Sequence, residues 1–116
     1  MTTAPRPSLH ATQRAARAAM DDLVREGAIT RRYAVETLTM GLPMVVRELA
    51  NLRRSGMAPE SITRAFTAKL DAAKRLSETA TTPAEKSSAR VRIAGARLYL
   101  AAWSGMQDDL AAYTTR

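Results

Sequence analysis

The sequence predicts an all-α protein, an antiparallel up-and-down four-helix bundle, and three observations predict it. Alanine fills 23 of the 116 positions while aromatic residues make up only 4%, a composition suited to close-packed helices and poor for strands. Apolar residues recur at spacings of three and four in four successive segments. Each segment is bounded by residues that start or stop helices for a physical reason. At this length one hydrophobic core has to serve the whole chain, so residues 8–116 are expected to form a single helical domain behind a flexible N-terminal segment, 1–7.

The first helix is expected from Ser8 as N-cap to Glu26, with Gly27 as its stop. Leu9, Ala16, Ala19, Met20 and Leu23 fall on its apolar side, and His10, Arg14, Arg17, Asp21 and Arg25 on its wet side, where Arg17, Asp21 and Arg25 are successive i,i+4 partners.

The second helix is expected from Thr30 as N-cap to Arg54, ended by Ser55 and Gly56. Pro43 lacks an amide donor and its ring strikes the preceding turn, at a cost of about 3 kcal/mol. The seam Val35, Leu38, Leu42, Val45, Leu49 and Leu52 nevertheless keeps phase through it. The expectation is one helix, kinked or briefly broken near Gly41–Pro43.

Pro59 fits the first position of a third helix whose core face is Ile62, Phe66, Leu70, Ala73 and Leu76 or Ser77, with Glu60 and Arg64, and Lys74 and Glu78, as outer pairs. Thr82, Pro83 and Glu85 form a capping box with proline at N1, the clearest helix start in the chain. The fourth helix then runs to about Tyr113. It carries two overlapping apolar stripes, one through Val91, Ala94, Leu98, Ala101 and Met106, the other through Ile93, Ala96, Leu100, Trp103 and Leu110. A helix apolar on most of its circumference is buried on most of it, which makes this helix the spine of the core. Gly95 and Gly105, each costing about 1 kcal/mol in a helix interior relative to alanine, are expected to mark close helix contacts.

Catalytic and metal chemistry find little support. The chain has no cysteine, which excludes disulfides and thiolate chemistry and suits a reducing, cytoplasmic setting. The lone His10 has no partner at metal-ligand or triad spacing. Asp21 and Asp22, and Asp108 and Asp109, are adjacent pairs that point in different directions on a helix, and are expected to be solvated. No phosphate loop or nucleophile elbow is present. Met20, Met40, Met44 and Met106 are expected to fill gaps in the core. No apolar run approaches the length of a membrane span, and the first ten residues have no leader-like apolar stretch. The chain is therefore expected not to be an enzyme, to need no cofactor and to have no membrane partner.

Charge gives the functional expectation. The net charge is +7, and arginine outnumbers lysine 15 to 3. Genomic base composition alone can raise that ratio, but not the net charge. The planar guanidinium fork suits phosphate and carboxylate partners. Arg53 and Arg54 lie in a last turn, where cations complement the helix dipole, whereas Arg31 and Arg32 lie in a first turn, where they are unfavourable by several tenths of a kcal/mol. In an antiparallel bundle the end of helix one, the start of two, the end of three and the start of four share a pole. Arg25, Arg31, Arg32, Arg75, Lys86, Arg90 and Arg92 are accordingly the candidate macromolecule-binding residues. The expected partner is an acidic macromolecule: nucleic acid or a nucleoprotein complex. The alternative is an inhibitor or adaptor, of the kind carried by phages and mobile elements, that occupies an acidic or nucleic-acid-binding site on a larger protein assembly. The bland reading of the same charges is solvated surface in weak ion pairs. Homodimerisation is a further expectation, motivated by Tyr99 and Trp103 as large rings for one small core.

Overall fold

The computed structural model describes residues 8–114. Helix α1 spans His10–Arg25; α2, Arg31–Glu36, continues through a π-helical turn, Thr37–Gly41, into α3, Leu42–Arg54; α4 spans Pro59–Thr79 and α5 spans Pro83–Thr114. With α2, the π turn and α3 taken as one interrupted helix, the molecule is all-α with four helices, as a four-helix bundle requires, and no strand occurs among the described residues.

Local chemistry sets most boundaries. Gly27 and Gly56 adopt positive φ, 74° and 97°, immediately beyond α1 and α3. Each closes its helix with a pair of reverse bonds: the Gly27 and Ala28 amides donate to the carbonyls of Val24 and Leu23, and those of Gly56 and Met57 to Arg53 and Leu52. The Thr30 hydroxyl accepts from the Tyr33 amide, capping α2. At α5 the Glu85 amide donates to Thr82 Oγ1 at 3.1 Å, the first half of the expected capping box, while the Glu85 carboxylate accepts from the Thr82 hydroxyl at 2.8 Å. The expected Ser8 cap does not form. Leu9 occupies the N-cap position of α1 with no side-chain cap of its own, and the cap comes from α5, as described below.

The helix interruption takes the form of a π turn directly before Pro43. The Leu42 amide reaches back five residues to the Thr37 carbonyl, so the turn widens where Pro43 has no amide to give and its ring would meet the backbone four residues earlier. The extra residue rotates the upstream face. Ala34 takes the inward place and Val35, expected in the seam, is exposed; Val45 and Leu49 are buried downstream, with Leu38, Leu42 and Leu52 half-buried.

Helix α5 is the spine. Both α1 and α4 pack along it extensively and α3 over a shorter stretch. The first turn of α1 meets Asp109 and its end meets Arg97, so the two run antiparallel. On α4, Thr63 accepts from Trp103 Nε1 at 3.0 Å, and Phe66 stacks on Tyr99 with ring centroids 4.5 Å apart and planes at 10°, again antiparallel. Met20, Leu23, Leu49 and Ile62 are fully enclosed at the centre. Of the two rings that motivated a homodimer, Trp103 is buried within the single chain and Tyr99, stacked on Phe66, is half-buried.

The helices are staggered and unequal, and this overturns part of the expected core. Helix α5 has 32 residues and α1 only 16. Past Arg97, where α1 ends, the first turns of α5 have only α4 beside them; between 83 and 92 just Ala89 is buried. Val91 lies beyond the end of α1, Leu76 in the same outer part of α4, and Leu110 about 10 Å along the axis past the Trp103 contact with α4, so all three are exposed. Met40 and Met44, expected in the core, are 73% and 65% exposed. The molecule measures 58 × 29 × 20 Å with a radius of gyration of 15.6 Å, against about 13 Å for a compact chain of this size. The excess length is the α4–α5 arm.

Candidate basic interface

The seven candidate cations divide into two groups. Arg25 pairs with Asp22, Arg31 with Asp21 at 2.6 Å, and Arg32 with Glu36 at 3.2 Å. The unfavourable first-turn position of Arg31 and Arg32 is thus offset within the chain, at its own carboxylates. By contrast Arg75, Lys86, Arg90 and Arg92 are exposed and have no ion-pair partner among the described residues, and neither has their neighbour Lys74. The outer pair Lys74 and Glu78 does not close, nor does Glu60 with Arg64.

These two groups do not meet at one level. Glu26, at the end of α1, pairs with Arg97 at 3.2 Å, and Lys86 lies 11 residues, about 16 Å of helix axis, farther out. The three paired arginines stand at the end of the compact body, and the four unpaired cations stand on the arm. Between 69 and 92 the arm carries six cations against Asp71, Glu78 and Glu85. The Glu85 carboxylate is engaged by the hydroxyls of Thr81 and Thr82 at the helix start. At 100° per residue, Lys86, Arg90 and Arg97 follow one side of α5, whereas Arg92, Gly95 and Tyr99 follow another.

That second side forms a groove of about 410 Å³ between α4 and α5, lined among others by Phe66, Lys69, Leu76, Arg92, Gly95 and Tyr99. Its inner end is marked by Glu48 of α3, whose carboxylate accepts the Tyr99 hydroxyl. Burial, then the hydrogen bond and charge of Glu48, push the Tyr99 phenol up to about 12.

Asp109 was missed as a functional carboxylate in the structural sense. Asp108 is solvated, as expected, but Asp109 is only 6% exposed and binds the start of α1. Burial raises its pKa, and the Thr12 hydroxyl, the Thr12 and Ala11 amides and the Arg14 charge together outweigh that and hold it below the usual carboxylate value. The signal was present in the register: Leu98, Ala102, Gly105 and Asp109 follow one another at four, three and four on the α1-facing stripe.

Among the described residues no group of three histidine, cysteine or carboxylate side chains is placed to hold a metal ion, and no helix is long and apolar enough to cross a membrane. No protein-family model matches the chain, and neither a curated protein nor a solved structure matches it.

Proposed function

We propose that this chain is a cytoplasmic binding protein rather than a catalyst, and that it holds nucleic acid, free or in a nucleoprotein complex, through backbone phosphates on the α4–α5 arm. The observation that carries the reading is the division of the seven candidate cations: Arg25, Arg31 and Arg32 pair with Asp22, Asp21 and Glu36, whereas Arg75, Lys86, Arg90 and Arg92 are exposed, without ion-pair partners among the described residues, on an element that projects past the rest of the fold. Phosphate contacts of this kind position a duplex or single strand without reading its sequence. A guanidinium can bridge two phosphate oxygens, which suits arginine over lysine at three of the four positions.

The test is fluorescence anisotropy with a labelled duplex of about 20 base pairs at low and moderate salt. Four neutralised phosphates weaken binding roughly a hundredfold between about 50 and 200 mM monovalent salt. Absence of binding at the lower salt, or binding with a flat salt response, rejects the reading and favours recognition of a protein surface.

A further inference from the structure

We propose that the groove between α4 and α5 binds a small amphipathic anion, an apolar body carrying one carboxylate or sulfonate. The argument starts from two glycines of the same helix. A Cβ added at Gly105 would lie 2.5 Å from the Thr12 Cα, so the chain itself uses that space, for the backbone of α1. A Cβ added at Gly95 would meet nothing within 4 Å. Gly95 is destabilising in a helix interior, and no neighbour within the chain requires its bareness. What it does is keep open the floor of the groove.

The walls define what fits. Stacked Phe66 and Tyr99 make a flat aromatic end, and Leu76, 45% exposed, an aliphatic one. Lys69 on the α4 wall, its Nζ 5.1 Å from the Phe66 ring centroid, and Arg92 on the α5 wall face the same space, and neither has a carboxylate partner. Glu48, the acid that lines the groove, has its carboxylate turned to the Tyr99 hydroxyl. An apolar floor between two unneutralised cations selects an anion with a hydrophobic body, and about 410 Å³ lies in the range of small-ligand sites.

The probe is 8-anilinonaphthalene-1-sulfonate, followed by fluorescence titration of the full chain, with decanoate and decanol as competitors. The expected result is one site per chain with a dissociation constant of about 10 to 100 μM, displacement by decanoate and little by decanol. Gly95→Leu fills the floor and weakens the probe by more than about tenfold, and Lys69→Gln by about tenfold. The Gly95 variant is compatible with the fold, since leucine is the better helix former and its Cβ meets open space; a thermal melt checks it. Met40→Ser and Met44→Ser, at the two most exposed of the large apolar residues, leave probe binding unchanged. No saturable binding, several equivalent sites, or loss in the methionine variants with retention in Gly95→Leu overturns the proposal. Gly95→Leu keeps its affinity for duplex, so the groove and the basic arm succeed or fail separately.

Discussion

The carboxylate of Asp109 caps α1 at Thr12, 97 positions earlier in the chain: its Oδ2 accepts the Thr12 amide at 2.9 Å and the Thr12 hydroxyl at 2.6 Å, and its Oδ1 accepts the Ala11 amide at 2.8 Å. The first and last helices are thereby tied by a negative charge at the positive end of a helix dipole, in a buried setting where unmade bonds are costly. Asp109→Ala leaves two amides and a hydroxyl without their partner. It should lower unfolding free energy by roughly 2 to 4 kcal/mol, combining a lost cap with buried unsatisfied donors. Urea denaturation measures it, with exposed Asp108→Ala as the control that changes little.

The same carboxylate gives the fold an acid limit. Its pKa is held down in the folded chain, so its contribution is complete above the unfolded aspartate value of about 3.9 and disappears as pH falls through the lower, folded value. The stability gap between the wild type and Asp109→Asn should therefore be constant above about pH 5 and close below about pH 4. Tyr99 sets the opposite limit. Its phenol is pushed up to about 12, so its contribution is complete below about pH 10 and is lost between there and 12. Tyr99→Phe should remove that alkaline loss. An unchanged slope in either pH window would show that the group does not titrate with unfolding.

The two helix glycines should respond in opposite directions. At Gly105 an added methyl meets Thr12 Cα at 2.5 Å, the Ala11 carbonyl at 2.7 Å and the Thr12 nitrogen at 2.8 Å, all backbone that can yield only if α1 moves and loosens its cap. Gly105→Ala should destabilise by roughly 1 to 3 kcal/mol, overpacking outweighing helix propensity. Gly95→Ala should stabilise by about 1 kcal/mol. Parallel thermal melts of the two single variants distinguish this from a uniform propensity effect.

What the residues disclosed in advance and what they hid have separate physical origins. Helix boundaries at Gly27, Thr30, Gly56, Pro59 and Thr82 depend on bonds within a few residues, and these were legible from spacing and residue type. The Asp109 cap was not, because nothing near Asp109 or Thr12 names a partner about a hundred residues away; only its place on the stripe with Leu98 and Gly105 hinted at burial. Val35 was misplaced because a π turn adds a residue to the period and rotates everything before it. Leu76, Val91 and Leu110 were misplaced because periodicity reports which side of a helix is apolar, not how far its neighbours extend. The candidate cations were legible as a basic surplus. Their division into paired and unpaired groups depended on the stagger of α1 against α5 and on tertiary contacts such as Arg31 with Asp21.

That division yields the sharpest functional test, because two sets of charge reversals remove charge from different places. Arg31→Glu with Arg32→Glu places like charges beside Asp21 and Glu36 while favouring the dipole at the start of α2. These effects oppose one another, so stability should change by no more than about 0.5 kcal/mol. Duplex affinity should fall only modestly, through the reduced field of the whole molecule. Arg75→Glu, Lys86→Glu and Arg90→Glu together should leave the core untouched, since all three side chains are exposed on the arm. Affinity at low salt should fall by about a hundredfold or more, and the dependence of log affinity on log salt should flatten by about one for each phosphate contact removed. Anisotropy titrations of both variants across a salt series measure the contrast. Losses of log affinity in simple proportion to the charge removed, about four units against about six, would mean that net charge alone governs binding, and a larger loss from Arg31 and Arg32 would move the interface from the arm to the end of the compact body.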